Sequence, residues 1–417
     1  MVPERVARRL GIPVLTVATV AVLITRCAGS PPVATGHAAA AVPTASRTAP
    51  ACAGCGPTAQ TTATSGLAGK PDVVAPPGSG VLFAGRDLIY ATHGFSTAEV
   101  AALARRVPGP VTAVFSSEQM VASRVAGFPD IAVDTLIADP VSYAAAVGVP
   151  DLAGLLRAGV VLATGEAQLR KVGVGGRIAY TDGTSLPVTA VVDAHEIGGH
   201  EMATALGVRP LASGATAGYL LVGGASTVAA LTTVAHAVWP TRTIRVKDHT
   251  ANGYMSGADT VLTQLQTKLD FGEFTSRPAG VDTFVPDPAW IKNHLTSRRI
   301  VQLGDVTCNT AIINDLTAAM QEVTARGLGG LIDTADFQYE GGCWNPRAAR
   351  AISGGTLSIH SWGAAIDINV KNNPLGGAPH QDPRLVAIMA AHGFAWGGRF
   401  LRPDGGHFQW VGDSIPH

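Results

Sequence analysis

Charge is scarce in this chain. Asp, Glu, Lys and Arg make up 14% of its 417 residues, against roughly 25% in an average soluble domain. The charges also cancel, 30 basic against 30 acidic. No overall field therefore draws the chain to nucleic acid or to an anionic lipid surface. Aromatic residues are few at 6%, yet a 47% hydrophobic share still supplies ordinary cores, which excludes disorder throughout. Long apolar runs are missing too. Leu10–Ile24 carries no charge but falls short of the about 20 residues a membrane helix needs. Tyr219–Trp239 is long enough, but Gly223 and Gly224 break it and His236 makes it polar. A strand followed by a buried helix fits that stretch better than a span, and a polytopic membrane protein is excluded. What is plentiful is Ala, Gly, Val, Pro and Thr, in a length that suggests two to three domains.

Arg5, Arg8 and Arg9 stand before the first apolar run, the pattern of an export signal. Cys27 occupies the place of a lipoprotein cysteine, but Arg26 stands where that processing wants a small residue. Residues 1–27 are read as a signal peptide or a signal anchor. Cleavage near Ala38–Ala41 and retention as a membrane anchor both stay open, and either way the bulk of the chain is expected outside the cytoplasm, in the cell envelope or beyond. Residues 28–80 are Ala, Pro, Thr, Ser and Gly with little charge, too poor in apolar surface to repay ordering, and read as a disordered tether. Cys52 and Cys55 in it form a C-x-x-C. Gly56-Pro57 follows where a redox pair would have a helix, so a local disulfide is expected.

Two stretches of the middle region, residues 81–270, look alike. Leu88–Thr92 is strand-like, Ser96-Thr97-Ala98-Glu99 is a capping box opening a helix to Arg106, and Val111–Phe115 is a strand. Gly218–Val222, Ser226–Val238 and Thr241–Val246 repeat strand, helix, strand. Two such units predict a ferredoxin-like α+β sandwich. An insertion between them holds strands at Val160–Ala163, Arg177–Tyr180 and Val188–Val192. The order Val161-Leu162-Ala163-Thr164-Gly165, Leu169–Gly175 and Asp182-Gly183 resembles the extracellular domain of FtsX/MacB-type permeases. That resemblance implies a sensing or protein-contact module with a cell-envelope partner. His195-Glu196-Ile197-Gly198-Gly199-His200 is a decoy for H-E-x-x-H. Its second His is one residue too far to share a helical face, and two glycines oppose a helix. A polar loop is expected there.

The chemistry lies in residues 285–417, after a stretch from Phe271 with little structure of its own. Apolar spacing predicts a helix over Asn309–Arg326 ending at Gly327. Asp382-Pro383 opens another, which stops at Gly393 with His392 in its last turn and without a catalytic role. Between them lies Ser358-Ile359-His360-Ser361-Trp362-Gly363-Ala364-Ala365-Ile366-Asp367-Ile368-Asn369. Alternation of Ile366, Ile368 and Val370 on one strand face puts Asp367 and Asn369 on the other. A carboxylate there needs a cation or a metal. Asp404-Gly405-Gly406-His407 follows near the end. His360, Asp367 and His407 make three ligands, which leave the fourth tetrahedral position of zinc open to water. Asp404, three residues before a ligand, is placed to take that water's proton.

Ser358, His360, Gly363, Ala365 and Asp367, with Asp404 and His407, match S-x-H-x-x-G-x-A-x-D followed by D/E-x-x-H. The segment resembles the zinc D-Ala-D-Ala carboxypeptidase and L-alanyl-D-glutamate endopeptidase family of peptidoglycan peptidases. The resemblance implies zinc held by His360, Asp367 and His407, Asp404 as general base, and a small α+β domain whose antiparallel sheet carries the site. It also implies a substrate-binding arginine at Arg347, within Gly341–Arg347, with Arg350 as the alternative, and Ser358 and Trp396 beside the substrate. Asp404-Gly405-Gly406-His407 in place of E-x-W-H, with Phe394–Gly398, is more like the endopeptidase branch. Stem peptides of peptidoglycan are then the substrate and nucleic acid is not a partner. A carboxypeptidase of the same family, or an inert peptidase domain on an envelope-binding scaffold, are the rival readings. Cys308 and Cys343, the two cysteines of this region, are expected to pair in an oxidising compartment.

Overall fold

The computed structural model describes residues 86–211, 214–224, 227–247, 262–339, 342–349 and 357–412. The signal, the tether, the Cys52–Cys55 pair and Arg350 lie outside the described residues.

Strand β1 (Arg86–Phe95) leads into α1 (Thr97–Ala104) and β2 (Val111–Ala122). The capping box forms as the sequence predicts: Glu99 N–H donates to Ser96 Oγ (3.3 Å) and Ser96 N–H to Glu99 Oε2 (2.8 Å). The helix ends two residues earlier than expected, with Arg105 as its cap. An insertion then supplies β3 (Asp130–Ala138), α2 (Pro140–Val147), α3 (Leu152–Ala158), β4 (Val160–Ala163), α4 (Thr164–Arg170), β5 (Arg177–Ala179), β6 (Ser185–Val192) and β7 (Met202–Ala205). The chain returns through β8 (Ala217–Gly223), α5 (Val228–Val238) and β9 (Ile244–Lys247).

The strands of the two repeated units stand in the order β9-β1-β8-β2, every neighbour antiparallel. This is the ferredoxin-like arrangement the repeats predict. The insertion continues the same sheet beyond β2 through β3, β7, β4, β6 and β5. Along β1 the pleat divides the core. Leu88 and Tyr90 pack beneath α2 and α3 with Tyr143, Leu156 and Tyr219, while Ile89 and Phe95 meet Leu103, Leu231 and Trp239 of α1 and α5. Burial of both faces explains why β3 and β7 escape the sequence reading: neither alternates, because neither has a wet side. The Tyr219–Trp239 stretch is the expected strand and helix, and no helix among the described residues is long and apolar enough to cross a membrane.

Helix α6 (Gln264–Phe271) follows, then β10 (Ser276–Pro278) and β11 (Phe284–Pro286). The stretch from Phe271, expected to be low in structure, is instead a hairpin, and Ser276 pairs with Asp130 of β3. Next come α7 (Pro288–His294), the β12 (Leu295–Ile300) and β13 (Gly304–Asn309) hairpin, α8 (Ile313–Ala325) and α9 (Thr334–Tyr339). Strand β13 takes Asn309, so α8 starts later than the spacing predicts. The last elements are β14 (Ala365–Asp367), α10 (Pro383–Ala391), β15 (Phe394–Trp396) and β16 (His407–Trp410). Strands β14, β16 and β15 form the small antiparallel sheet, in that order. Its apolar side, Ile366, Phe394 and Phe408, closes on Leu316 and Met320 of α8 and Leu385 and Met389 of α10.

Helix α6 is held by a buried ionic cluster that composition does not foretell. Lys268 Nζ lies 2.6 Å from Glu201 Oε1 and 3.4 Å from Glu273 Oε1, and donates to the Ala132 carbonyl. Arg170 pairs with Glu166 at 2.9 Å and with Glu273. Burial pushes the Glu166 carboxyl up to about 8, against the pull of Lys268. Removing a cation here strands buried carboxylates, whereas neutralising Glu166 removes a charge that the interior already disfavours. Lys268→Met is expected to cost about 3–5 kcal/mol in urea unfolding, and Glu166→Gln much less. Equal losses would contradict this view of the cluster.

Candidate metal centre

Strands β14 and β16 set Asp367 directly opposite His407. The third residue, His360, sits in a 3-10 turn, Ile359–Trp362, that ends at Gly363 in the left-handed region (φ +64°). A Cβ at Gly363 would lie 2.9 Å from the Asn309 nitrogen, so only glycine lets the turn close against β13.

The three side chains converge. His360 Nε2 is 3.2 Å from Asp367 Oδ2, His407 Nδ1 is 3.0 Å from Asp367 Oδ1, and the two ring nitrogens are 3.1 Å apart. Both imidazoles are buried, 1% and 7% exposed. Each is fixed from behind. His360 Nδ1 donates to the Cys343 carbonyl (2.8 Å), and His407 Nε2 to Gln409 Oε1 (3.2 Å). With those outward nitrogens protonated, the inward ones present lone pairs to each other and to a carboxylate. Such a donor set suits a borderline divalent cation, and its ligand atoms all lie within 4.8 Å of one another. Burial alone would raise the Asp367 carboxyl. Only with the imidazoles protonated, as in the absence of a cation, do their charges and hydrogen bonds outweigh burial and hold Asp367 well below the usual carboxylate range.

Asp404 lies beside this group. Its N–H donates to the Gly397 carbonyl (2.9 Å) and its own carbonyl accepts from His407 N–H (3.1 Å). The main chain closes this turn, leaving the carboxylate free of that duty. Burial pushes the Asp404 carboxyl above its ordinary range, against the charge of His407, with Asp367 adding to the rise and Arg347 opposing it. Arg347 is near enough for its charge to act on Asp404. Its main chain is tied to Ser361, whose Oγ accepts Arg347 N–H and donates to Arg347 O. Ser358 is buried, its N–H on the Arg347 carbonyl. Trp396 spends its indole N–H on the Gly405 carbonyl (2.9 Å), so it holds the loop between Asp404 and His407.

Asn369 does not share a strand face with Asp367. Strand β14 ends at Asp367, and Asn369 turns into the left-handed region (φ +59°), its amide bonded to Leu331 and Gln381. His392 pairs with Glu322 of α8 (2.8 Å). In the decoy, Ala194–Ile197 is a 3-10 turn, and His200 is buried on Asp134 (2.9 Å). The sequence reading missed Gln409, although its place two residues after His407 on one strand gives the face away. It also missed the Cys343 carbonyl, which no side-chain pattern encodes.

Cys308 and Cys343 are joined, Cα–Cα 5.4 Å. The bond links β13 to the residue whose carbonyl orients His360.

Residues 351–410 match the family model described as D-alanyl-D-alanine carboxypeptidase. This peptidase-family segment contains His360, Asp367, Asp404 and His407, and begins after Arg347 and both cysteines. No curated protein matches the chain. Among solved structures, the periplasmic region of MacB from Actinobacillus actinomycetemcomitans is similar at 12% identity and a TM-score of 0.30, over 40% of this chain and 89% of that one. A permease-protein domain from Porphyromonas gingivalis is similar at 14% identity and a TM-score of 0.25, over 39% and 85%.

Cys308 and Cys343 are 35 residues apart, and closing a loop of that order stabilises by about 3–4 kcal/mol in the chain-entropy account. The double variant Cys308→Ser/Cys343→Ser is expected to lose that much in urea unfolding. Peptide mapping of the unreduced wild type should recover the two cysteines as one linked pair, and two free thiols would refute the bond.

Proposed function

We propose that residues 285–417 are a zinc metallopeptidase that hydrolyses peptide bonds in the stem peptides of peptidoglycan, as an L-alanyl-D-glutamate-type endopeptidase. The observation that carries this reading is the convergence of two back-anchored imidazoles and one carboxylate within 4.8 Å, inside a peptidase-family segment. His360, Asp367 and His407 would hold the metal. Zinc bound there supplies Lewis-acid polarisation of the scissile carbonyl and acidifies a water to a pKa of about 7.

The protein's own groups do the rest. Asp404, partly desolvated and within the fields of His407 and Asp367, accepts the proton from water as the carbonyl carbon is attacked. It then returns that proton to the leaving amine as the C–N bond breaks. An elevated carboxyl is suited to both transfers, because its affinity for a proton lies nearer that of neutral solution. Arg347 offers a guanidinium to a substrate carboxylate or to the developing oxyanion. Ser358 and Trp396 place the wall along which the peptide lies.

The endopeptidase assignment rests on Asp404-Gly405-Gly406-His407 and the Phe394–Gly398 segment. A D-alanyl-D-alanine carboxypeptidase is the second reading, and the description of the matching family model favours it. Export is part of the proposal, supported by the basic and apolar N-terminal pattern and by a disulfide that an oxidising compartment sustains.

Elemental analysis of the purified chain should find about one zinc, lost in His360→Ala and His407→Ala. Full zinc in both variants would sink the site. Mass spectrometry of digested muropeptides should show new termini at the L-alanyl-D-glutamate bond. Release of terminal D-alanine alone would select the second reading, and zinc-loaded protein that cleaves nothing would overturn both. Asp404→Ala is expected to keep zinc and lose roughly 100-fold or more in rate. Loss of zinc in that variant would make Asp404 a ligand instead.

A further inference from the structure

The His360 turn is not held by its own domain alone. Gln264, the first residue of α6, stands between two carboxylates and a main-chain N–H. Its Nε2 donates to Glu118 Oε1 on β2 and to Glu201 Oε2, both at 2.9 Å. Its Oε1 accepts the Leu357 N–H at 3.1 Å. The amide has one sensible orientation here, because a flip would set its oxygen against both carboxylates and its nitrogen against a donor. Glu201 also takes the Asp134 N–H (2.7 Å) and pairs with Lys268, one turn further along α6. The side chain that grips Leu357 is therefore itself gripped by the large sheet. Beyond the other end of α6, the Gly272 carbonyl accepts the indole N–H of Trp362 (3.0 Å). Leu357 and Trp362 bracket Ser358–Ser361, so the segment carrying His360 is pinned at both ends to one helix.

The second loop of the site has ties of the same kind. Arg245 on β9 donates to the Arg399 carbonyl (3.2 Å), and Leu401 packs on the core cluster beneath α2 and α3. Between them lies Phe400, whose ring is 5.9 Å from that of His407. The same loop closes through Gly397, which takes the Asp404 N–H.

We infer that α6 is a positioning element for the metal centre, with Gln264 its positioning residue, so that the ferredoxin-like sheet and its insertion set the place of His360 and thereby the competence of the site. The inference deepens the peptidase reading and, for its kinetic part, rests on it. It assigns the middle region work inside the enzyme: the sheet is one wall on which both site loops are mounted.

The test uses the whole chain with Gln264→Met, which keeps side-chain length and removes the amide. Hydrogen exchange in the peptide spanning 357–362 reads positioning without metal or substrate. Release of zinc to a chelator and the kcat and KM for a muropeptide read its consequence. Exchange and zinc release are each expected to rise about tenfold, and kcat to fall by a similar factor with KM little changed, the scale on which outer supports of a ligand act. Strands β3 and β7 should keep their protection. Unchanged exchange overturns the inference, and faster exchange with wild-type zinc release reduces Gln264 to a structural tie and overturns it too. If the wild type binds no zinc and cleaves nothing, the peptidase reading has failed, and exchange at 357–362 alone decides the positioning claim. Should Gln264→Met not fold, Trp362→Phe, which removes the indole N–H that Gly272 accepts at the far end of α6, replaces it. Faster exchange over 357–362 is then expected, and unchanged exchange there overturns the inference.

Discussion

Two buried imidazole nitrogens 3.1 Å apart, both turned toward one carboxylate, are an arrangement that relaxes unless something enforces it. Lone pairs repel, and a buried carboxylate without a cation is costly. The enforcement comes from behind. The Cys343 carbonyl fixes the tautomer of His360 and Gln409 fixes that of His407. The Cys343 carbonyl is in turn steadied by the bond to Cys308 on β13 and by the bridge from Gly342 to Asp367. The hairpin, the small sheet and the 3-10 turn are thus parts of one clamp, and α8 with α10 supplies the apolar bed that keeps the clamp from spreading.

What the sequence discloses and what it withholds divide along a physical line. The meeting of His360, Asp367 and His407 is legible because the pattern that points to it resides in the side chains themselves. The capping box at Ser96 and the N-cap at Asp382 are legible for the same reason. Asn369 misleads because alternation continues past the point where the backbone leaves the strand, and only a φ of +59° ends β14 there. The β10–β11 hairpin and β3 are hidden, the first because three-residue strands carry no period, the second because both its faces are buried. Gln264 is invisible for another reason. It meets Leu357 across 93 residues of chain, and nothing local marks a glutamine as the partner of a distant N–H.

The insertion changes how the sheet is to be understood. Strands β2 and β8 pair directly, so the four strands of the parent unit would close without it. Yet Ala132, Glu201 and their neighbours, which fasten α6, belong to the insertion. The buried ions there offer poor return as stability, since apolar residues of equal volume would serve as well or better. Their value is directional, because hydrogen-bonded charges hold a helix in one rotation where oily contacts would tolerate several.

The pairing of Asp367 with His407 carries a consequence for how this segment can vary over evolutionary time. The two residues are the terminal rung of the β14–β16 ladder, and a strand slipped by one residue turns every side chain to the opposite face. Insertions and deletions within the strands are therefore closed to drift, since each would send Asp367 or His407 into the apolar bed. The loop between Trp396 and His407 is held along its length, by main-chain bonds at Gly397 and Asp404 and by Arg399 and Leu401 against the large sheet. Length differences between diverging lineages should therefore fall outside β14, β16 and this loop, while the spacing from His360 to Asp367 stays constant.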